Sequence, residues 1–251
     1  MVPSAIASKG SVTVATDASY APNEFFDTDG TTIIGMDVDL GHAIGKVMGV
    51  QWNFENAGFD GIIPGLASGK YDIGMSSFGD TKDREQTVDF VTYAKAGTAF
   101  YIKAGGTAIP NLAALCGHTA GMEKGTTQLA DATAQNTKCK NAGKPGVTIQ
   151  AFPDQNGVNT ALAAGRVDVA MADTPVSDYA VAQSNGQFAL SGQSYGVVPY
   201  GIAVPKGTGM TKPIQAALKK LIANGTYTQI LKKWGVESIA ITNPVINGAI
   251  S

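Results

Sequence analysis

The sequence predicts an α/β protein folded as two lobes, and three observations carry that prediction. Short apolar, β-branched runs alternate with helices of 3.6-residue periodicity from Val12 onward. A β-rich run, Thr98 to Lys103, leads into Gly105-Gly106 and is followed by a fresh set of α/β units. A second run, Gly201-Ile202-Ala203-Val204-Pro205, returns the chain. The two crossings divide the 251 residues into a discontinuous first lobe, 1–102 with 204–251, and a second, 103–203. Each is long enough for its own core. Lobes joined by two β crossings make a hinge, and a cleft between them suits closure over a ligand.

In the first lobe, Val12 to Thr16 reads as a strand, and Asp17-Ala18-Ser19-Tyr20-Ala21-Pro22 turns off its end. Strand ends are where α/β proteins keep their sites. Asp27-Thr28-Asp29-Gly30 is a hairpin turn signal. Gly35-Met36-Asp37-Val38-Asp39-Leu40 opens a helix with Leu40, Ala43, Ile44, Val47 and Met48 on its apolar face, stopped by Gly49. His42 lies on the solvated face. Val50 to Phe54 is a strand, and Asp60 is read as the cap of a helix to Ala67 with Pro64 in its first turn.

The stretch Gly74 to Phe90 carries the densest chemistry. It follows a buried strand, Tyr71 to Met75. Ser76 and Ser77 bring hydroxyls and backbone N–H groups beside Gly79; Thr81 caps the turn that follows, with Asp83 where a helix dipole favours an acid. Arg84 stands one turn in, and its planar fork suits a carboxylate. Such a loop holds a small anion, and no nucleophile–base pair accompanies it. The alternative reading pairs Arg84 with Asp80 or Glu85 in solvent.

In the second lobe, Asn111 to Leu115 is a short helix and Thr119 to Met122 a strand. Gly125-Thr126-Thr127 starts a helix running to about Lys138. Gly-Met-Glu-Lys-Gly-Thr-Thr is not a phosphate-binding P-loop, because its Lys precedes the glycine. A helix start with two threonines is nonetheless a place for an anion. Val147 to Phe152 is a strand, Asn156 to Ala164 a helix, and Val167 to Ala172 a buried strand ending at Asp173-Thr174-Pro175, where Asp173 can serve as an N-cap. Back in the first lobe, Thr211 is read as capping a helix with Ile214, Ala217, Leu218, Leu221 and Ile222 inward. Tyr227, Ile230, Leu231 and Trp234 make a last apolar face.

Taken together, these segments resemble the polar amino-acid binding proteins of ABC importers, the bacterial extracellular solute-binding proteins of family 3. The matching motifs are Asp17-x-x-Tyr20-x-Pro22, Gly35-x-Asp37-x-Asp39-Leu40, Phe59-Asp60-x-x-Ile63-Pro64-x-Leu66, Ser76-Ser77-x-x-x-Thr81-x-x-Arg84 and Gly125-Thr126-Thr127. Leu115-Cys116-Gly117 and Gly143-Lys144 are similar to actinobacterial-type members. The resemblance covers roughly residues 10–236 and implies the type II periplasmic-binding-protein-like fold. It implies that Arg84 grips the α-carboxylate of a free amino acid, with the Gly125–Thr127 turn donating from the other lobe. It further implies that Asp173 takes the α-ammonium, that Tyr20 and Phe59 sandwich the side-chain stem, and that Asp17 meets its polar end. The partners implied are a free L-amino acid and an ABC permease, for a monomer outside the cytoplasm whose leader has been removed. No cofactor is implied.

Two positions depart from the pattern. Gly79 stands where many relatives have Ser or Thr on the ammonium, which leaves that group to Asp173 and backbone carbonyls. Glu123 stands where relatives vary with ligand; with Asp17 it faces a cationic side chain, or it pairs with Lys124 in solvent. The first alternative favours arginine, lysine or ornithine over glutamine. A rival on the same fold is a cyclohexadienyl or arogenate dehydratase, for which Glu123 is the one candidate acid; a receptor ectodomain is another. Cys116 and Cys139 fit no metal or redox spacing and are either bridged or two buried thiols; the family's oxidising compartment favours the bridge.

Composition agrees with this class. Eighteen basic and twenty acidic residues give a net charge of −2, which excludes a nucleic-acid footprint. Charged residues are only 15%, and the 31 glycines point to many tight turns. No apolar run reaches the roughly 18 residues of a membrane span. The opening Met1 to Ala7 lacks the charged and apolar regions of a signal peptide. His42 and His118 are isolated, so no metal site is expected.

Overall fold

The computed structural model describes residues 2–250. They form two compact units, one of residues up to Ala18 with Pro22–Ala96 and the chain from Val198 onward, the other of Ser19–Ala21 with Gly97–Val197. Two long strands, Val88–Lys103 and Tyr195–Pro205, each carry the chain from one unit into the other. The β runs expected at 98–103 and 201–205 are the ends of these strands.

In the first unit, strand Ser11–Thr16 is parallel to Gln51–Asn56 on one side, with Val14 opposite Phe54, and to Ile73–Gly74 on the other, with Val14 opposite Ile73. Gly74 pairs in turn with Ala203 of the returning strand. Helix Met36–Met48 lays Leu40 and Ile44 onto this sheet, in one cluster with Val12, Trp52, Tyr93, Ile202, Leu218 and Tyr227. Its entry needs a glycine: Gly35 has φ +136°, and a Cβ there would meet the Asn23 carbonyl oxygen at 2.1 Å. Gly49, at φ 73°, ends it in the left-handed region. His42 is exposed, its ring set edge-on to Phe54.

Two caps differ from expectation. The helix Phe59–Ala67 starts one residue before Asp60, with Gly58 as its N-cap, so Asp60 sits inside the first turn. Its carboxylate still favours the positive helix end there. Likewise Thr211 is the first residue of helix Thr211–Ala223, whose N-cap is Met210 with no side-chain bond. A short helix, Ser4–Lys9, precedes the first strand; none of its residues is fully buried, and Ile6 packs against the core of this unit. The hairpin turn at 27–30 lies between strands Glu24–Phe26 and Ile33–Ile34, which pair antiparallel.

In the second unit, strand Val169–Asp173 is antiparallel to the long strand, with Asp173 opposite Thr98, and parallel to Thr119–Glu123. The latter is parallel to Thr148–Phe152. Helices Thr127–Asn141, Gln155–Ala163 and Thr174–Gln183 flank these strands. Phe100, Leu115, Met122, Val169 and Met171 form one core cluster, which includes Cys139. Cys139 is bridged to Cys116, with Cα atoms 5.6 Å apart, and no free cysteine exists among the described residues. The bridge ties the last turn of helix Thr127–Asn141 to the entry of strand Thr119–Glu123.

Candidate functional site

In the first unit the candidate residues gather at the carboxyl ends of the parallel strands. Asp17 follows the first strand; its N–H donates to Ser76 Oγ at 2.9 Å, and its Oδ2 accepts from the Phe59 N–H at 3.0 Å. That carboxylate therefore also satisfies an N–H of the opening turn of helix Phe59–Ala67. Ser76 and Ser77 are buried beyond strand Ile73–Gly74. Ser77 adopts φ 50°, rare for a residue with a side chain. Its N–H is held by Asp37 Oδ2 at 2.9 Å, which offsets the strain.

Arg84 begins a 3₁₀ turn, Arg84–Gln86, and its N–H lies 3.3 Å from Thr81 Oγ1. The guanidinium is braced from two directions. Nη1 donates to the Gly79 carbonyl at 2.8 Å, and the group's carbon lies 5.4 Å from the ring centres of both Phe59 and Phe78. Those rings stack on each other at 4.5 Å. A cation laid against aromatic faces is held in orientation while its other N–H donors keep their directions. Gly79 itself pairs with Tyr200 in an isolated antiparallel bridge. Of the acids near Arg84 in sequence, Asp80 accepts from the Gly248 N–H through Oδ2, and Glu85 from the Ala249 N–H through Oε1.

Behind the serines lies an acid pair that sequence reasoning missed. Glu24 and Asp37 are both fully buried. Glu24 accepts from the Ser76 and Ser77 hydroxyls at 3.2 Å each, and Asp37 Oδ2 accepts from the Tyr93 hydroxyl at 2.7 Å. Burial first, and then the neighbouring Asp37, raise the Glu24 carboxyl well above the usual range; burial raises Asp37 to about 6. The pair thus keeps a proton under conditions where exposed carboxyls have lost theirs.

The second unit gathers the remaining candidates. Glu123 ends its strand and is buried, while the adjacent Lys124 is exposed. The Glu123 carbonyl accepts from Thr126 Oγ1 at 2.7 Å. Thr126 is the N-cap of helix Thr127–Asn141, and Gly125 precedes it at φ 76°. Thr127 opens the helix, its hydroxyl 3.4 Å from Gln128 Oε1. Asp173 is the final residue of its strand; its N–H donates to the Tyr20 hydroxyl at 3.0 Å. Tyr20 is buried in the core cluster of Tyr101, Val158, Leu162 and Ala172. Burial, with Asp173 and Glu123 nearby, keeps its phenol protonated far above the ordinary value.

A second residue that the sequence did not flag orients Asp173. Gln128, buried in the first turn of its helix, donates from Nε2 to Asp173 Oδ1 at 2.7 Å and to Thr98 Oγ1 at 2.9 Å. Its place directly after the Gly-Thr-Thr turn was the available signal, since a buried amide must find partners. Among the described residues no group of three or more His, Cys, Asp or Glu side chains stands ready for a metal. No helix among them is long and apolar enough to cross a membrane.

An α/β protein whose strand ends carry a braced arginine, paired hydroxyls and oriented carboxylates is built to hold a small polar solute. The profile of the bacterial extracellular solute-binding proteins, family 3, matches residues 12–237, and the chain belongs to that family. It is 32% identical over 248 residues to the arginine-binding protein ArgT of Corynebacterium glutamicum, covering 98% of this chain and 81% of that protein. It is 33% identical over 232 residues to the lysine/arginine/ornithine-binding periplasmic protein of Escherichia coli, covering 89% and 86%. Among solved structures, an ancestral arginine-binding protein bound to arginine superposes with a TM-score of 0.82 at 35% identity, over 90% of this chain and 98% of that one.

Proposed function

We propose that this solute-binding protein captures a free amino acid with a cationic side chain outside the cytoplasm and delivers it, as a monomer, to an ABC permease. Arg84, with the Ser76–Ser77 loop, receives the α-carboxylate, and the Thr126–Thr127 helix start adds N–H donors. Asp173 receives the α-ammonium, and Tyr20 and Phe59 line the stem. Asp17 and Glu123 provide the negative charge that a guanidinium or second ammonium needs. The chain acts by binding, without catalysis.

The observation that carries this reading is the bracing of Arg84 by the Gly79 carbonyl and the Phe59 and Phe78 rings. A guanidinium fixed in this way serves a planar, bidentate anion. The oriented Asp173 supplies the opposite charge that a zwitterion requires. Relatives named for arginine, lysine and ornithine support the cationic class.

Isothermal calorimetry of the purified chain against the twenty amino acids and ornithine tests the reading. Arginine, lysine or ornithine is expected to bind most tightly, with glutamine next. Heat from none of them, or product formed from prephenate or arogenate, would overturn it.

A further inference from the structure

The turn that carries Arg84 is fastened by the chain's own tail. The Thr92 N–H donates to the Val245 carbonyl at 2.9 Å, and the Val245 N–H donates to Thr92 Oγ1 at 2.9 Å. Val91 and Ile246 form an antiparallel bridge. The Asn247 N–H donates to the Phe90 carbonyl at 3.0 Å, and Asn247 Oδ1 accepts from the Phe90 N–H at 2.8 Å. The next two residues then reach the turn itself, with the Gly248 N–H on Asp80 Oδ2 at 2.7 Å and the Ala249 N–H on Glu85 Oε1 at 3.1 Å. Asp80 and Glu85 flank Arg84, so consecutive tail residues tie down both sides of it. The tail lies beyond residue 237, where the match to the family ends.

The fastening is specific. Asn247 holds φ 53°, and its side chain secures that strained backbone by bonding Phe90 and, at 3.1 Å, Asp89. Asp80 is fully buried, and its own N–H donates to the Pro199 carbonyl at 2.8 Å. The charged groups facing this pair are few: the two carboxyls face each other, and Lys82 reaches Glu85 at 3.5 Å. Burial, opposed by the Gly248 N–H and reinforced by Glu85, raises Asp80 to about 7. Against its own burial penalty, the Ala249 N–H and the Asp80 carboxyl lower Glu85. One proton therefore resides on Asp80 below neutrality, and its loss sets two like charges side by side beneath the tail.

We propose that residues 244–249 form a strap fixing the Arg84 turn, and that Asp80 and Glu85 are positioning residues for ligand capture. This rests on the reading of Arg84 as the carboxylate anchor. The strap spares the binding step the cost of ordering Arg84, because the turn is held before the ligand arrives.

Two measurements test it. Amide hydrogen exchange across residues 79–87, without ligand, should be at least tenfold faster in Asn247→Ala than in the wild type. Calorimetry with arginine should show at least fivefold weaker binding in that variant. Asp80→Asn keeps the acceptor for Gly248 and the side chain's shape, so it tests the strap in a chain that stays folded. Wild-type affinity should fall as pH rises through 7, and Asp80→Asn should lose that step. Unchanged exchange in Asn247→Ala, or the same pH step in Asp80→Asn, would overturn the proposal. A wild-type chain that binds neither arginine nor glutamine sinks the reading of Arg84, and the exchange experiment then decides the strap alone.

Discussion

Gln128 donates its side-chain amide to Asp173 Oδ1 at 2.7 Å from the first turn of a helix whose cap, Thr126, belongs to the candidate site. One helix start thus presents N–H donors and also aims an acid. Gln128→Ala removes the bonds to both Asp173 and Thr98. Each such bond is worth about 1 kcal/mol, so amino-acid affinity should fall by roughly fivefold to thirtyfold. Calorimetry with arginine checks this, and unchanged affinity would show that Asp173 needs no such support.

Arg84→Lys keeps the positive charge but loses the planar fork that lies beside the Phe59 and Phe78 rings. Affinity for any α-amino acid should fall by at least tenfold, or about 1.4 kcal/mol. Full affinity in the variant would remove Arg84 from the carboxylate.

The acid pair under the serines predicts a pH-dependent stability. Both carboxyls are raised in the folded chain, Asp37 to about 6 and Glu24 further above its usual value. A raised carboxyl binds more proton in the folded state than in the unfolded one, so its contribution is fully present at low pH. That contribution is lost as pH rises from the ordinary carboxylate range through 6 and beyond. Urea unfolding from pH 4 to 8 should show the wild type losing stability relative to Glu24→Gln, in which one of the two charges cannot form. Parallel pH curves for the two chains would contradict the shared proton.

Reducing the Cys116–Cys139 bridge, whose ends are 23 positions apart in sequence, should cost about 3 kcal/mol through the freed denatured chain. The loss should appear in the second unit. A melting curve unchanged by reductant under denaturing pretreatment would rule this out.

What the sequence made legible follows from range. The helix from Met36, its stop at Gly49 and the strand runs are encoded by periodicity within a dozen residues. The caps were misread at Asp60 and Thr211 because a capping residue type one position inside a helix looks the same in sequence as one at its edge. Glu24 lay hidden because its partners, Asp37, Ser76 and Ser77, come from separate segments, and a lone acid in a sequence reads as solvated. The rings that brace Arg84 were out of reach for the same reason: Phe59 comes from a helix start and Phe78 from a loop, and no spacing relates either of them to a guanidinium.

The last prediction concerns the ligand's charge. In the second unit the Asp173 N–H donates to the buried Tyr20 hydroxyl, and the charges of Asp173 and Glu123 add to the burial that raises that phenol. A glutamine zwitterion brings a single positive charge to such a surface, its α-ammonium. Arginine and lysine bring two, and the second offsets the charge of the other acid in a region where water screens poorly. A glutamine amide can donate its NH2 to that carboxylate but brings no charge to offset it. Arginine or lysine should therefore bind more tightly than glutamine. Glu123→Gln should narrow that preference by about tenfold, close to 1.4 kcal/mol, by weakening the cation and sparing glutamine. Added salt should narrow it in the same direction, though less, because a buried pair is screened weakly. Direct competition between labelled arginine and glutamine at low salt, in wild type and variant, makes the measurement. Glutamine winning in the wild type, or an unchanged ratio in Glu123→Gln, would take Glu123 out of the ligand's reach.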